Sequence, residues 1–295
     1  MGEHFERFLE TGFFTRRAAI AAGISDAMLR RSARHGQIAR IARGVYVVAG
    51  TSPPPGPATV ALGWRVVVSY QSAVAWWDAD LIAPLERLHV TAPRNRGRRL
   101  ADAGDGVRLH RADLKPGDVC LVRGVPVTSP LRTALDVSRS ASLEEAVAIV
   151  DGLFRRGLLT VEEFRAAAAA VPPAPGRHRI QLVAALVDPA SESVLESLAR
   201  VLLWRRRLRP PYTQFVVRSR GRFVARVDFA WPALRLALEC DGFEFHSGRA
   251  TFRRDRRRWT ALARAGWRVV VVTWADVVSD PDYVAGTVAE MLSAA

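Results

Sequence analysis

Cysteine is scarce in this chain. Cys120 and Cys240 are the only two among 295 residues, and they lie far apart. Such a pair makes neither a zinc-ligand pattern nor a disulfide framework, which fits a reducing compartment. Lysine is scarcer still: Lys115 stands alone among 43 basic residues, so the positive charge is almost all arginine. No apolar run approaches transmembrane length, the longest candidates being valine-rich strands such as residues 269–272. The opening "MGEHFERFLE" is charged and has no apolar signal core. These absences predict a soluble cytoplasmic protein with no membrane partner, nucleoid-associated if its partner is DNA.

What is present points to a core and to a polyanion. A hydrophobic fraction of 49% and a charged fraction of 24% are those of an ordinary globular chain. The formal net charge of +14 favours nucleic acid as partner, because arginine grips phosphate bidentately and stacks on bases. Codon bias accounts for arginine replacing lysine, but not for the net excess.

Two proline-rich stretches, "TSPPPGP" (51–57) and "VPPAPG" (171–176), divide the chain. They predict an N-terminal unit over 1–50, a mixed α/β middle region over 58–171 and a C-terminal unit over 178–295. In the first, Thr15 and Ser25 are placed to cap two short helices. "QIARIARGVYVV" then alternates and turns near Gly44. Helix, tight turn, helix and wing is the winged helix-turn-helix order. The second helix carries Arg30, Arg31 and Arg34 and the wing adds Arg40 and Arg43, a basic set suited to a duplex backbone. A helical protein-interaction module with a solvated basic face is the plainer alternative.

The middle region reads as a helix ("SYQSAVAWWDADL"), strands ("RLHVTAP", "VRLHRADL", "GVPVTS") and further helices with ordinary starts at Ser129 and Thr160. Its loop "PRNRGRR" (93–99) is a phosphate contact or simply a solvated loop. His89, His110, Trp76 and Trp77 read as packing residues. The stretch "TGFFTRRAAIAAGISDAMLRRSARHGQIARIARGVYVV" is similar to the N-terminal winged-helix domain of AbiEi-type antitoxins. That resemblance implies a DNA-binding autoregulator with a toxin partner.

The C-terminal unit reads as helix, three strands, helix, strand, helix. At the strand period of two, Glu239 and Asp241 share one face of "RLALECD" and Leu236, Leu238 and Cys240 the other. In "RFVARVD", Phe223, Ala225 and Val227 are expected on one face, opposite Arg226 and Asp228. Paired as a hairpin, the two strands bring Asp228 near Glu239. Clustered carboxylates repel unless a cation sits among them, and a hard ion, Mg²⁺ or Mn²⁺, suits their oxygens. The bland readings are a capping box for Glu196, three residues after Ser193, and turn hydrogen bonds for Asp228.

The ordered set "LES" (Glu196), "ARVDFAWP" (Asp228), "ECDGFEFH" (Glu239, Asp241, His246), "DRRRWTAL" (Asp255, Arg258) and "AGWRVVVVTW" resembles the restriction-endonuclease-like PD-(D/E)XK superfamily, over about residues 191–290. It looks most like the branch with the very-short-patch repair endonucleases. The resemblance implies an α/β (α+β) fold with a central mixed sheet flanked by helices. It also implies a metal at Asp228 and Glu239, catalytic roles for Glu196, Asp228, Glu239, Asp241 and His246, and a repair partner. Asp241 stands where the superfamily carries lysine, and His246 is the candidate replacement for proton transfer. Asp255 falls in the buried stripe of its helix and calls for a partner such as Arg258 or His246. Three functions follow: a metal-dependent endonuclease acting on double-stranded DNA, a non-catalytic regulator of antitoxin type with a degenerate nuclease fold, or cleavage of RNA or a structured junction.

Overall fold

The computed structural model describes residues 3–9, 12–42, 44–49, 66–94, 107–241 and 249–293. It divides into two compact units, Met1–Val137 and Ser138–Ala295. The architecture is α+β, with three sheets and eleven α-helices among the described residues.

The first unit begins with β1 (Phe13–Thr15), α1 (Arg16–Ala21) and α2 (Asp26–Arg34). Both helices start on the expected hydroxyls. Thr15 Oγ1 accepts from Ala18 N–H at 3.0 Å and Ser25 Oγ from Met28 N–H at 3.3 Å, each satisfying an amide the first turn leaves orphaned. β2 (Ile38–Ala42) and β3 (Val45–Val48) form the antiparallel wing, with Gly44 at φ 73° between them. β1 pairs with the other edge of β3, giving the order β1-β3-β2. Three residues are too few to show a period, so nothing in the sequence announced β1. Leu29, Ala19, Ile24, Ile38 and Val48 close the small core with Phe5 and Phe14.

A five-stranded mixed sheet follows, built from β4 (Val67–Val68), β5 (Leu88–Ala92), β6 (Val107–Arg111), β7 (Val119–Val122) and β8 (Val125–Thr128) in the order β6-β5-β4-β8-β7. α3 (Tyr70–Trp76) packs on it, and the indole N–H groups of Trp76 and Trp77 donate to the Val122 and Thr128 carbonyls at 3.2 and 2.9 Å. Both tryptophans are packing residues. α4 (Pro130–Ser140) follows β8.

In the second unit, α5 (Leu143–Arg155), α6 (Val161–Ala170), α7 (Arg177–Leu186) and α8 (Val194–Arg205) precede the sheet. Thr160 and Glu163 make the expected reciprocal capping box. The wholly buried Asp151 joins α5 to α8: it accepts from Ser197 Oγ at 2.7 Å and Asp188 N–H at 2.9 Å, and pairs with the Arg200 guanidinium.

The sheet consists of β9 (Tyr212–Ser219), β10 (Arg222–Trp231), β11 (Leu236–Asp241) and β12 (Arg268–Thr273), ordered β12-β11-β10-β9. The first three run antiparallel, and α9 (Arg249–Arg264) lies between β11 and its parallel neighbour β12. α10 (Trp274–Ser279) and α11 (Pro281–Ser293) end the chain. One expectation fails here. Phe223 does not share the buried face of Ala225 and Val227, being 63% exposed while they are at 2% and 0%. The register slips between Phe223 and Ala225, and that irregularity turns the ring outward.

Candidate nucleic-acid interface and carboxylate sheet

In the first unit, α2 presents one apolar and one basic side. Leu29 is the buried anchor. At 3.6 residues per turn Arg30, Arg31 and Arg34 fall about 100°, 200° and 140° around the helix from it. All three are exposed, as is Arg40 on the wing. Arg43 lies outside the described residues. The two helices are fastened at their starts by Arg16 and Asp26, whose Nε–Oδ1 bond is 2.6 Å with a second bond from Nη2 to Oδ2. The Arg16 guanidinium, with Arg30 as a lesser influence, holds the Asp26 carboxyl below its usual range. The chemistry of this surface is a row of guanidinium groups on a short helix capped and ion-paired at its start, suited to phosphate oxygens and to the acceptors of guanine in a major groove.

In the second unit the acids divide into two groups. Glu196, in the first turn of α8, is bonded on every side. Ser193 Oγ accepts from its N–H at 3.1 Å and donates to its Oε1 at 2.8 Å. Its Oε2 accepts from Glu192 N–H and Gln214 Nε2, both at 2.9 Å. The same Gln214 amide reaches Asp228 Oδ1 at 3.4 Å, and Asp228 Oδ2 accepts from Cys240 N–H at 2.8 Å. Burial pushes the Glu196 carboxyl up, and the Asp228 charge adds to the shift. Burial likewise raises Asp228, against the Cys240 N–H and the charge of Arg258. Desolvation, with the charges of Asp228, Glu196 and Glu239 beside it, pushes the half-buried Cys240 thiol well up.

Glu239 belongs to the other group. It is 3% exposed and accepts from Arg258 Nη2 of α9 at 3.0 Å. The structure therefore gives Arg258 to Glu239. Asp241, half-buried, ends β11. His246 lies outside the described residues, as does the side chain of Asp255 within α9. Gln214 is the residue that sequence reasoning missed. Its signal was a lone amide in the apolar strand "YTQFVV", and it adopts a left-handed φ of 48° there. Among the described residues no group of three or more His, Cys, Asp or Glu side chains is arranged to hold a metal. The donor type still suits one, since carboxylate oxygens on α8, β10 and β11 are what a hard divalent ion takes.

Residues 12–42 and 44–49 form a helix-turn-helix with an antiparallel wing and a basic second helix. Residues 5–49 match the family model described as "Transcriptional regulator, AbiEi antitoxin". The chain is also 33% identical over 174 residues to two uncharacterized Mycobacterium tuberculosis proteins, Rv2248 of strain H37Rv and MT2308 of strain CDC 1551. Each match covers 59% of this chain and 64% of the relative, so less than two thirds of the relatives' length is spanned. The RV2827C protein of Mycobacterium tuberculosis, a solved structure, is 15% identical with a TM-score of 0.34, covering 63% of this chain and 74% of that one. That likeness is too slight to carry an argument. No helix among the described residues is long and apolar enough to cross a membrane.

Proposed function

We propose that this protein is a DNA-binding transcriptional regulator of the antitoxin type, reading duplex DNA with α2 and the wing. The observation that carries this reading is the capped α2 with exposed Arg30, Arg31 and Arg34, inside the residues that match the regulator family. Arg34 and Arg31 also sit in the last turn, where the helix's negative end favours them without further partners. α2 enters the major groove, and the wing's Arg40 meets an adjacent phosphate. The second unit serves binding rather than chemistry, and a cognate toxin is its natural partner.

Selection of bound duplexes from a random pool tests this, followed by anisotropy titration with wild type and Arg30→Ala/Arg31→Ala. Two lost phosphate or base contacts should weaken binding by tenfold or more, on the order of 1–3 kcal/mol for each base contact. Wild-type affinity in that variant, or affinity that stays flat with rising salt, refutes the reading.

A second reading is favoured by one specific observation, the placing of Glu196, Asp228 and Glu239 on α8, β10 and β11 of a helix-first mixed sheet. In it, Asp228 and Glu239 would hold Mg²⁺ or Mn²⁺, which supplies charge neutralisation at a scissile phosphate. Arg258 would then have to yield Glu239. His246 would move the proton. Plasmid cleavage with Mg²⁺, Mn²⁺ or EDTA decides it: nicking that Glu239→Gln abolishes supports a nuclease, and no nicking by wild type excludes one under those conditions.

A further inference from the structure

We infer that the β9–β10 hairpin is a second duplex-DNA contact, carried by the C-terminal unit and independent of α2. The inference takes its choice of polyanion from the DNA reading above. Between Glu196 and Asp228 the sequence holds nine arginines and not one acid. Four of them, Arg218, Arg220, Arg222 and Arg226, lie on the hairpin, and all four are exposed. The turn is tight: Ser219 pairs with Arg222, and Arg220 and Gly221 both take left-handed φ values of 49° and 78°. Arg220 therefore stands at the very tip. Among the described residues Arg218, Arg220 and Arg222 form no ion pair, and Arg218 Nη1 donates only to the Gly221 carbonyl of the turn at 3.4 Å. Arg226 pairs with Glu192 at 2.6 Å, but both side chains are about half exposed, so a phosphate can compete for it.

Arginines on this strand have a purely structural use as well. β9 is the last strand of its sheet, and charge on an open edge discourages pairing with another chain. That use does not account for Phe223. The register slip turns its ring out to 63% exposure directly opposite Arg218, with Val216 opposite Arg226 on the neighbouring strand. An aromatic ring flanked by guanidinium groups is what nucleic-acid surfaces use: the charges hold the backbone and the ring lies against sugar and base. The inner side of the ribbon is taken up by Val217, Ala225 and Val227 in the core cluster with Leu262, so the tip and outer side are what DNA meets. A two-stranded ribbon has the width of the major groove.

The test uses the full chain and a fluorescein-labelled duplex of mixed sequence, titrated by anisotropy across a salt series. The variants are Arg218→Gln/Arg220→Gln/Arg222→Gln, Phe223→Ser and Arg30→Ala/Arg31→Ala. Each neutralised phosphate contributes about 0.9 to the slope of log K against log salt, so the triple variant should lose a slope of about 2–3 and about 10- to 100-fold in affinity near 0.1 M salt. Phe223→Ser should weaken binding several-fold without altering the slope. Wild-type affinity and slope in the triple variant overturn the inference, whatever the α2 variant does. Loss confined to single-stranded RNA or to polyglutamate, with duplex binding unchanged, overturns it as well. If only the α2 variant binds as wild type, the reading of α2 fails and the hairpin stands. Should the triple variant lose its near-ultraviolet circular dichroism, Arg220→Gln alone, at the exposed tip, should still remove a slope of about 0.9.

Discussion

Arg258→Met is the perturbation that most directly probes the carboxylate sheet. Glu239 is 3% exposed and accepts from Arg258 at 3.0 Å, while 35% of the Arg258 side chain reaches solvent. Removing one member of a fully buried ion pair costs about 3–5 kcal/mol, because the other charge is left desolvated. Water can follow the lost guanidinium through its exposed third, so about 2–3 kcal/mol is expected here. Glu239→Gln is the milder change, about 1 kcal/mol, since the remaining guanidinium hydrates where it stands. The double variant should therefore fall short of the sum by about 1–2 kcal/mol, a coupling that urea titration by circular dichroism resolves. In heating experiments Arg258→Met alone should lower the midpoint by roughly 5–10 °C for a unit of this size. Asp228 gives a second readout, because Arg258's charge is one of the influences holding its burial-raised carboxyl down. Asp228 should titrate higher in the variant, as carbon-detected nuclear magnetic resonance would show. Strict additivity of the two single variants, with Asp228 unmoved, would refute the pairing.

The first unit should lose stability in acid. His110 Nε2 lies 3.2 Å from His89 Nδ1 with the Tyr70 ring stacked on His110, and burial drops both imidazoles to about 4. The unfolded chain then binds more protons below the ordinary histidine value, so stability present above about pH 6.5 is lost as pH falls towards 4. Solvent screening at these half-exposed rings limits the total to about 1–2 kcal/mol. His89→Gln/His110→Gln should flatten that slope in urea midpoints measured from pH 7 to 4.5, and an unchanged slope would assign it elsewhere. Arg200→Ala strands the wholly buried Asp151 and should cost about 3–5 kcal/mol by urea titration, with a loss under 1 kcal/mol counting against the network. Ser25→Ala should cost about 1 kcal/mol through the lost cap on Met28 N–H, with Ser25→Asp restoring most of it in thermal melts. No difference between Ala and Asp would mean the cap contributes nothing.

Much of the first unit was legible in its letters. Hydroxyls at Thr15 and Ser25, like Thr160 in the second unit, report caps that close within three residues, and the alternation through "QIARIARGVYVV" marks a local hairpin, so spacing suffices to find them. The same holds for Arg30, Arg31 and Arg34, which a helical period alone places away from Leu29. β1 escaped because its three residues gain their conformation from β3, thirty to thirty-four positions on in the chain. Gln214 escaped for a similar reason. Its amide matters only because β9 brings it between Glu196 and Asp228.

The carboxylate sheet shows where the division falls. Sequence by itself determined that acids occur on a helix and on two strands, that Glu239 and Asp241 alternate with apolar neighbours, and that arginine crowds the stretch before Asp228. Those are properties of order and period, and they survive any packing. Only the tertiary structure decided how the acids are spent. Asp228 turns to Gln214 and the Cys240 amide, and Glu239 receives the guanidinium of Arg258, nineteen residues later on a helix. A slip of register between Phe223 and Ala225 likewise decided that an aromatic ring expected in the core stands in solvent beside Arg218. Period two is a rule about an ideal strand, and one irregular residue reverses its answer.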